Sequence, residues 1–516
     1  MRSGSRTTLG LILKVILLGA VLGIAVLGAT PLIQQQKWIG LALLLAATGL
    51  LFWIYLSPRR IPAKYLVPGT LFLLVFQVFP VLYTVSTAFT NYGDGHRSGK
   101  AEAIRAIESG SVHPVRGSAQ YRLSIGVEAG RDPATAGIAL LLTDDKTRRS
   151  YVGTRDGLAD LSASDVKLDP KGKVLEAKGF TVLKLHQVNR RSQEVGDFRV
   201  PTEKGAIKSQ GLSSAFEGAA QLVYAESCDC IRDAVTGKTW KAENRDGYFR
   251  GEDGVYLAQG WQVNVGLRNF ADVVTNPVIS RYFFGILAWN LAYATLSVGL
   301  SFALGLLVAI VLNHERLRGR RIYRSLLILP YAMPSFAMLL VWRDMFNPDF
   351  GLINRLFGLH VNWFGTPWGA RFAVVLVQIW LTYPYMFLIS TGALQAIPPD
   401  LTEAASVDGA KPFYAFRTVT FPLLMVALAP PLIASFAFNF NNFNAVYFTS
   451  EGAPFPPDNP RVGATDLLIT YTFRIAFGGQ GAQYGLASTI SIFIFLIVAL
   501  VSLVGFRRAR VLEEIH

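Results

Sequence analysis

The sequence predicts an all-α polytopic membrane protein of eight transmembrane helices, with a β-rich domain inserted after the third. Three observations predict it. The 516 residues are 51% hydrophobic and only 16% charged, with mean hydropathy +0.36, too apolar for a soluble chain of this length. Apolar runs of about 20 residues, enough to cross a bilayer, recur at 10–30, 38–57, 67–90, 283–312, 323–342, 371–393, 419–442 and 484–506. Between the third and fourth lies a long stretch, 91–280, of soluble character that carries no such run.

The first run reads as a retained helix, because no small-residue cleavage site follows it and a second run comes at once. Basic residues then mark one side of the membrane. They are Arg2 and Arg6; Arg59, Arg60 and Lys64; Arg316, Arg318, Arg320, Arg321 and Arg324; Lys411 and Arg417; and Arg507, Arg508 and Arg510. By the positive-inside rule that side is the cytoplasm, and both termini lie on it. No Asp or Glu precedes Asp94, so the first three spans are flanked by positive charge alone. The net charge of +14 therefore reports topology and contact with anionic membrane lipid. Its arginines are dispersed among helix ends, which gives no reason to expect nucleic acid as a partner.

Residues 91–280 belong on the outer side. Short alternating runs at Ser150–Val152, Phe180–Leu185 and Val255–Val265, an all-apolar run at Ile138–Leu142, and turn signals at Asp246-Gly247 and Asp253-Gly254 favour strands. Gly, Ala and charged residues between 97 and 135 suggest a helical or loosely ordered entry segment. Cys228 and Cys230, the only cysteines, sit here, where disulfides are permitted. A bridge between them would close almost no loop, so they are either incidental thiols or a local bridge, and no His cluster is nearby in sequence to complete four ligands for a metal.

Two polar stripes stand out within the later spans. Gln378, Leu381, Thr382 and Tyr385 follow i, i+3, i+4, i+7 spacing, as do Ser435, Phe438, Asn439 and Asn442, so each set shares one helix face. Amides inside a membrane are costly unless partnered, which makes such stripes functional candidates. Together they offer a solute hydrogen-bond donors and acceptors and flat aromatic rings. Between the stripes lies a short capped helix. Pro398-Pro399 stops the preceding span, Asp400 is the expected N-cap, Glu403 completes a capping box, and Gly409 closes the helix in the left-handed conformation. The result is about two turns, roughly 12 Å long, too short to stand alone and lined with small alanines that another chain could approach closely.

These segments together resemble a known family. Glu403-Ala404-Ala405-Ser406-Val407-Asp408-Gly409-Ala410 with Phe421-Pro422-Leu423-Leu424 resembles the EAA loop of ABC-importer permeases, here about 397–422. Tyr323 to Ala332, Tyr383-Pro384-Tyr385-Met386, Ala434 to Phe443, Thr465 to Leu468 and Tyr471 to Phe477 are similar to the maltose/maltodextrin permeases of that family. The resemblance implies three N-terminal transmembrane helices (1–90), a periplasmic immunoglobulin-like insertion (91–280) and a type I importer core of five helices (281–516) in a bacterial inner membrane. It implies partners as well: a second, MalG-like permease, two MalK-like ATPase subunits holding ATP and Mg²⁺, a MalE-like periplasmic sugar-binding protein, and maltose or maltodextrin as cargo. Glu403, Ala404, Ala405, Asp408 and Gly409 would dock on the ATPase. The two stripes correspond to the family's sugar-contacting positions, except that Gln378 stands where Asn is familiar and Thr382 where Gly is.

The residues also exclude chemistry. No Gly-x-x-x-x-Gly-Lys-Ser/Thr loop occurs; at Gly237-Lys238-Thr239 the required first glycine is Arg232, so the chain should bind no ATP of its own. Six histidines, His314 and His360 among them, show no metal-ligand spacing, and no catalytic residues or cofactor of the chain itself are expected. Acidic residues are missing from the middles of the spans, which weighs against an ion-coupled carrier. Other readings are a permease for another α-glucoside such as trehalose, or a membrane scaffold or insertion factor, which would need no EAA helix.

Overall fold

The computed structural model describes residues 3–34, 36–114, 118–202, 205–314, 317–457, 459–479 and 481–515. Of the basic residues used for orientation, Arg2 and Arg316 lie outside the described residues, as do the side chains of Arg6 and Arg510. The chain forms two compact units, Met1–Thr84 and Val85–His516.

The first unit contains α1 (Ser3–Gln34), α2 (Trp38–Leu56) and most of α3 (Ile61–Ala88). Their apolar side chains stay exposed nearly all round, as in helices that face lipid or other membrane helices. The α2–α3 corner is held by the Arg60 guanidinium 3.1 Å above the Trp53 ring and by the Tyr55 hydroxyl donating to the Lys64 carbonyl. α3 widens into a single π turn at Leu74–Val78. The cause is Pro80, which lacks an N–H and crowds the carbonyl four residues back. The same device recurs at Phe416–Thr420, just ahead of Pro422.

In the second unit the inserted region opens with α4 (Lys100–Gly110) and then folds as antiparallel sheets. The main path runs Gly157–Leu161, Ser150–Thr154, Ile138–Asp144, Gln120–Glu128, Ser214–Ala220, Gly205–Gln210, Arg199–Thr202. A second sheet holds Leu222–Ala225, Cys230–Asp233, Thr239–Glu243 and Tyr248–Gly251. The all-apolar run at 138–142 is explained by burial on both faces: Leu140 and Leu142 enter one core, Ala139 and Leu141 another.

Two readings of this region need correction. The entry segment is helical only at α4; Gln120–Glu128 is a central strand, with Leu123, Ile125 and Val127 buried in its core. Residues 255–265 form no regular strand. Their N–H groups bond elsewhere, Gly260 to the Gly95 carbonyl, Gln262 to Ser98 and Val263 to the Asn91 side chain, so the segment ties the exit of the insertion to its entry. Cys228 and Cys230 are joined in a disulfide, Cα atoms 5.2 Å apart. Asp229 between them, in the left-handed conformation, takes an ion pair from Lys100 at 2.6 Å and a hydrogen bond from Tyr224, which fastens α4 to the second sheet.

Beyond the insertion come α5 (Pro277–Asn313), α6 (Arg320–Ala332), α7 (Ser335–Met345), α8 (Pro367–Ala396), α9 (Pro399–Val407), α10 (Pro412–Phe440), α11 (Leu468–Phe477) and α12 (Tyr484–Ile515). α5 and α8 run parallel and close together. The Arg371 guanidinium lies 4.9 Å above Trp289, and sixteen residues on in both helices a Cβ at Gly305 would fall 2.6 Å from the Phe387 nitrogen. Any side chain at Gly305 would force the two backbones apart.

The expected fifth span, 323–342, is not one straight helix. α6 and α7 meet at a bend of 92°. Met333 precedes Pro334 and is extended (φ −88°, ψ 146°), since the proline ring bars it from the helical region. Among the described residues seven helices are long and apolar enough to cross a membrane, or eight if the bent pair is one crossing.

Candidate functional site: a polar cavity between helices and an exposed loop

The bend in α6–α7 opens a cavity of about 530 Å³ against α8 and α10. All eight residues of the two stripes line it: Gln378, Leu381, Thr382 and Tyr385 from α8, Ser435, Phe438 and Asn439 from α10, and Asn442 just beyond. Helical periodicity places each stripe on one face, and the close approach of α8 to α10 turns the faces toward one another.

Gln378 is the hub. Its Nε2 donates to Asn439 Oδ1 at 2.8 Å and to Thr382 Oγ1 at 2.9 Å, and its Oε1 accepts from Asn442 Nδ2 at 3.3 Å. Asn439 in turn donates to the Ser435 carbonyl at 2.8 Å, and Asn442 Oδ1 accepts from the Ala445 N–H. Gln378 and Asn439 are buried, with every polar atom of the Gln378 amide in use. The neighbouring Asn441 points away from the cavity and bonds back to Ala437. Facing the opening are groups with capacity to spare: the Thr382 hydroxyl proton, one Asn442 N–H, the half-buried Tyr385 and the Phe438 ring, 68% exposed. Leu381 packs with Leu339 of α7.

The sequence reading missed the third wall. Tyr331, Met333 and Ser335 come from the α6–α7 corner, and Tyr331 stacks on Tyr385 with ring centroids 6.4 Å apart and planes 24° from parallel. The signal was there in Pro330 and Pro334, two prolines inside an apolar run. Also missed was Asn290, buried in α5, which donates to the Phe440 carbonyl and accepts from the Leu468 N–H, pinning the end of α10 to the start of α11.

The loop after α8 is built differently. α9 starts at Pro399, two residues earlier than expected, and Asp400 is not its cap: Pro398 holds that position, without a side-chain bond, and no Asp400–Glu403 capping box forms. A proline at the first helical position needs no N–H partner, so the helix begins there. Gly409 does adopt the left-handed conformation (φ +81°), and the Ala410 N–H reaches the Ala405 carbonyl to close the end. Glu403, Ala404 and Asp408 are exposed and Ala405 is half-buried. Among the described residues the Glu403 carboxylate has no partner. Leu401, Val407, Phe413 and Tyr414 are also exposed around it, with Val407 at 88%. α9 packs on residues 412–420, the first turns of α10.

Comparison with known proteins gives this geometry a family. Residues 301–514 match the model described as binding-protein-dependent transport system inner membrane component, and residues 71–156 the N-terminal of the TM subunit in PBP-dependent ABC transporters. The maltose/maltodextrin transport system permease protein MalF of Salmonella typhi is 34% identical over 488 residues, 91% of each chain. The MalF protein of Escherichia coli K12 is 33% identical over 486 residues, 91% of this chain and 90% of its own. The chain belongs to the MalF family of binding-protein-dependent permeases. A solved bacterial ABC transporter involved in import of the acidic polysaccharide alginate is 20% identical, covering 48% of this chain and 83% of its own, with TM-score 0.41. As a MalF-family member the chain has the type I importer permease fold, works in the inner membrane and leaves ATP hydrolysis to a separate subunit.

Proposed function

We propose that this permease carries maltose, or maltodextrin, through the cavity between α6–α7, α8 and α10, and that α9 receives the driving motion from an ATPase. The observation that carries the reading is the meeting of all eight stripe residues in one cavity. The amide hub and Thr382 supply hydrogen bonds for sugar hydroxyls, and Phe438, Tyr385 and Tyr331 supply flat apolar faces for its C–H surface.

The family requires a second permease, an ATPase and a binding protein; we take them to be MalG-like, MalK-like in two copies, and MalE-like. Glu403, Ala404, Ala405, Asp408 and Gly409 form the docking face, ringed by the exposed apolar side chains that a partner cleft would cover. The loop lies roughly 27 Å along α8 from Gln378, so a rigid shift of α9 reaches the cavity through α8 and α10 and exposes it alternately to the two sides. We read residues 91–280 as the periplasmic insertion that meets the binding protein, and the basic helix ends as cytoplasmic, both termini included. The parallel run of α5 and α8 supports eight spans, since the chain must cross back through α6–α7 between them.

Uptake into vesicles holding the full complex and ATP tests this. Maltose accumulation that falls in Phe438→Ala while ATPase assembly is retained is the expected result. Accumulation of trehalose but not maltose would reassign the sugar, and no α-glucoside uptake at all would reject the reading.

A further inference from the structure

A second cavity, of about 480 Å³, lies where α5 and α8 begin and shares no residue with the sugar stripes. Its walls include Arg281, Trp289 and Tyr282 of α5, Arg371 of α8, and Phe455 and Val462 of the loop before α11. Arg281 and Arg371 each stand four residues inside the start of a membrane-crossing helix, roughly 6 Å from its end, and the two helices run parallel, so both arginines lie at the same interface.

Neither arginine has a carboxylate in ion-pair reach among the described residues. Arg371 Nε donates to the Ala464 carbonyl, and its guanidinium lies between the rings of Trp289 (4.9 Å) and Trp368 (5.3 Å). Asp466 also lines the cavity, but its carboxylate is already taken by Arg474 at 2.8 Å, the Gly463 N–H and Thr470. Among the described residues the site therefore offers uncompensated positive charge, aromatic walls and a mostly apolar floor. From Trp368 an exposed apolar stripe, Trp368–Phe372–Leu376, runs down α8 at i, i+4, i+8.

We propose that this cavity binds an anionic phospholipid, its phosphate held by Arg281 and Arg371 and its acyl chains laid along the Trp368–Phe372–Leu376 stripe. Charge complementarity selects the headgroup. Tryptophans at interface depth and an apolar stripe continuing toward the membrane interior select a lipid over a soluble anion.

The test uses the intact transporter complex in vesicles of phosphatidylcholine with or without phosphatidylglycerol, with bound lipid counted by native mass spectrometry. The parent complex should retain phosphatidylglycerol in preference to phosphatidylcholine. Each arginine near a membrane surface is worth about fivefold, so Arg281→Gln with Arg371→Gln should weaken retention roughly 30-fold, whereas the paired Lys substitutions should keep it. Equal retention by the Gln pair overturns the proposal. Displacement of the lipid by inorganic phosphate alone would make this a free-anion site and overturn it too, as would a photo-crosslinker at Phe455 capturing a protein subunit instead of lipid. Should the Gln pair fail to assemble, absence of a phosphatidylglycerol preference in the parent still refutes the assignment.

Discussion

At the Gln378 cluster the buried amides find their partners within this chain, whereas at the 399–409 loop Glu403 has none among the described residues and Leu401, Val407 and Phe413 are left bare. On the proposed reading the cavity is a finished structure that a cargo enters. On the same reading the loop is half of an interface. Unpaired charge and exposed apolar surface on a helix too short to hold itself together make sense only where another protein completes it. The difference teaches where substitutions should act: changes at the buried amide hub should register in this chain's own stability, while loss of the Glu403 carboxylate should be silent until the partner is present.

The largest effects follow at the loop. Glu403→Ala removes a charge-assisted contact worth about 1.5–3 kcal/mol, so ATPase affinity should fall about 10- to 100-fold, with no change in melting of the isolated chain. Gly409→Val forces a β-branched residue to φ +81°, at ~1–2 kcal/mol of strain, and should uncouple hydrolysis from uptake, whereas Gly409→Asn, tolerant of that conformation, should not. Co-purification and vesicle uptake measure both. If Glu403→Ala destabilises the chain alone, the loop is as self-sufficient as the cavity and the comparison fails.

At the cavity, Gln378→Ala leaves the buried Asn439 Oδ1 without its partner, a cost of about 2 kcal/mol, so it should lower the melting temperature and uptake together. Phe438→Ala removes an exposed ring. Stability should stay within about 0.5 kcal/mol, while sugar affinity drops by about 1 kcal/mol, roughly fivefold. A smaller effect is expected of Thr382→Val, which keeps the shape but removes the hydroxyl that Gln378 uses. Gln378 retains Asn439, so the change should appear mainly as weaker sugar binding, read by titrating uptake against maltose concentration.

These contrasts follow how much was legible beforehand. The stripes could be read because a helix imposes a 3.6-residue period on any face that must stay polar, and Gln378 and Asn439 keep that period whatever surrounds them. Gly409 could be read because few residues accept positive φ. The α6–α7 corner was hidden, since apolar composition fixes that a segment enters the membrane but not that it is straight, and Tyr331 joined the site only through the bend at Pro334. In the inserted domain, 255–265 alternates like a strand yet spends N–H groups on Gly95, Ser98 and Asn91, partners 164 to 172 residues away that local pattern cannot reveal.

The smallest expected effect lies at the junction between the inserted domain and the bundle, and it asks whether cavity or loop feels that domain. Asp94 accepts from the Gly481 and Ala482 N–H groups just before α12, and buried His96 packs its ring edge on Tyr248 at 4.1 Å, with no partner for Nε2 among the described residues. Burial lowers the His96 pKa below its ordinary 6.5, against the opposing bond to the Asp94 carbonyl. The unfolded chain therefore takes up a proton more readily, so stability is full above pH 6.5 and declines as pH falls below it. The Ala482 N–H, with Arg97, lowers the Asp94 pKa as well, so its contribution is lost only at much lower pH. Thermal melting across that range should show the first decline in the parent and lose it in His96→Leu; a decline that survives the substitution assigns it to another group. If ATPase affinity holds steady over the same range while sugar uptake falls, the inserted domain acts on the cavity and leaves the loop untouched, which is what a closed polar cluster tied through Asn290 and α11 to the rest of the bundle would transmit.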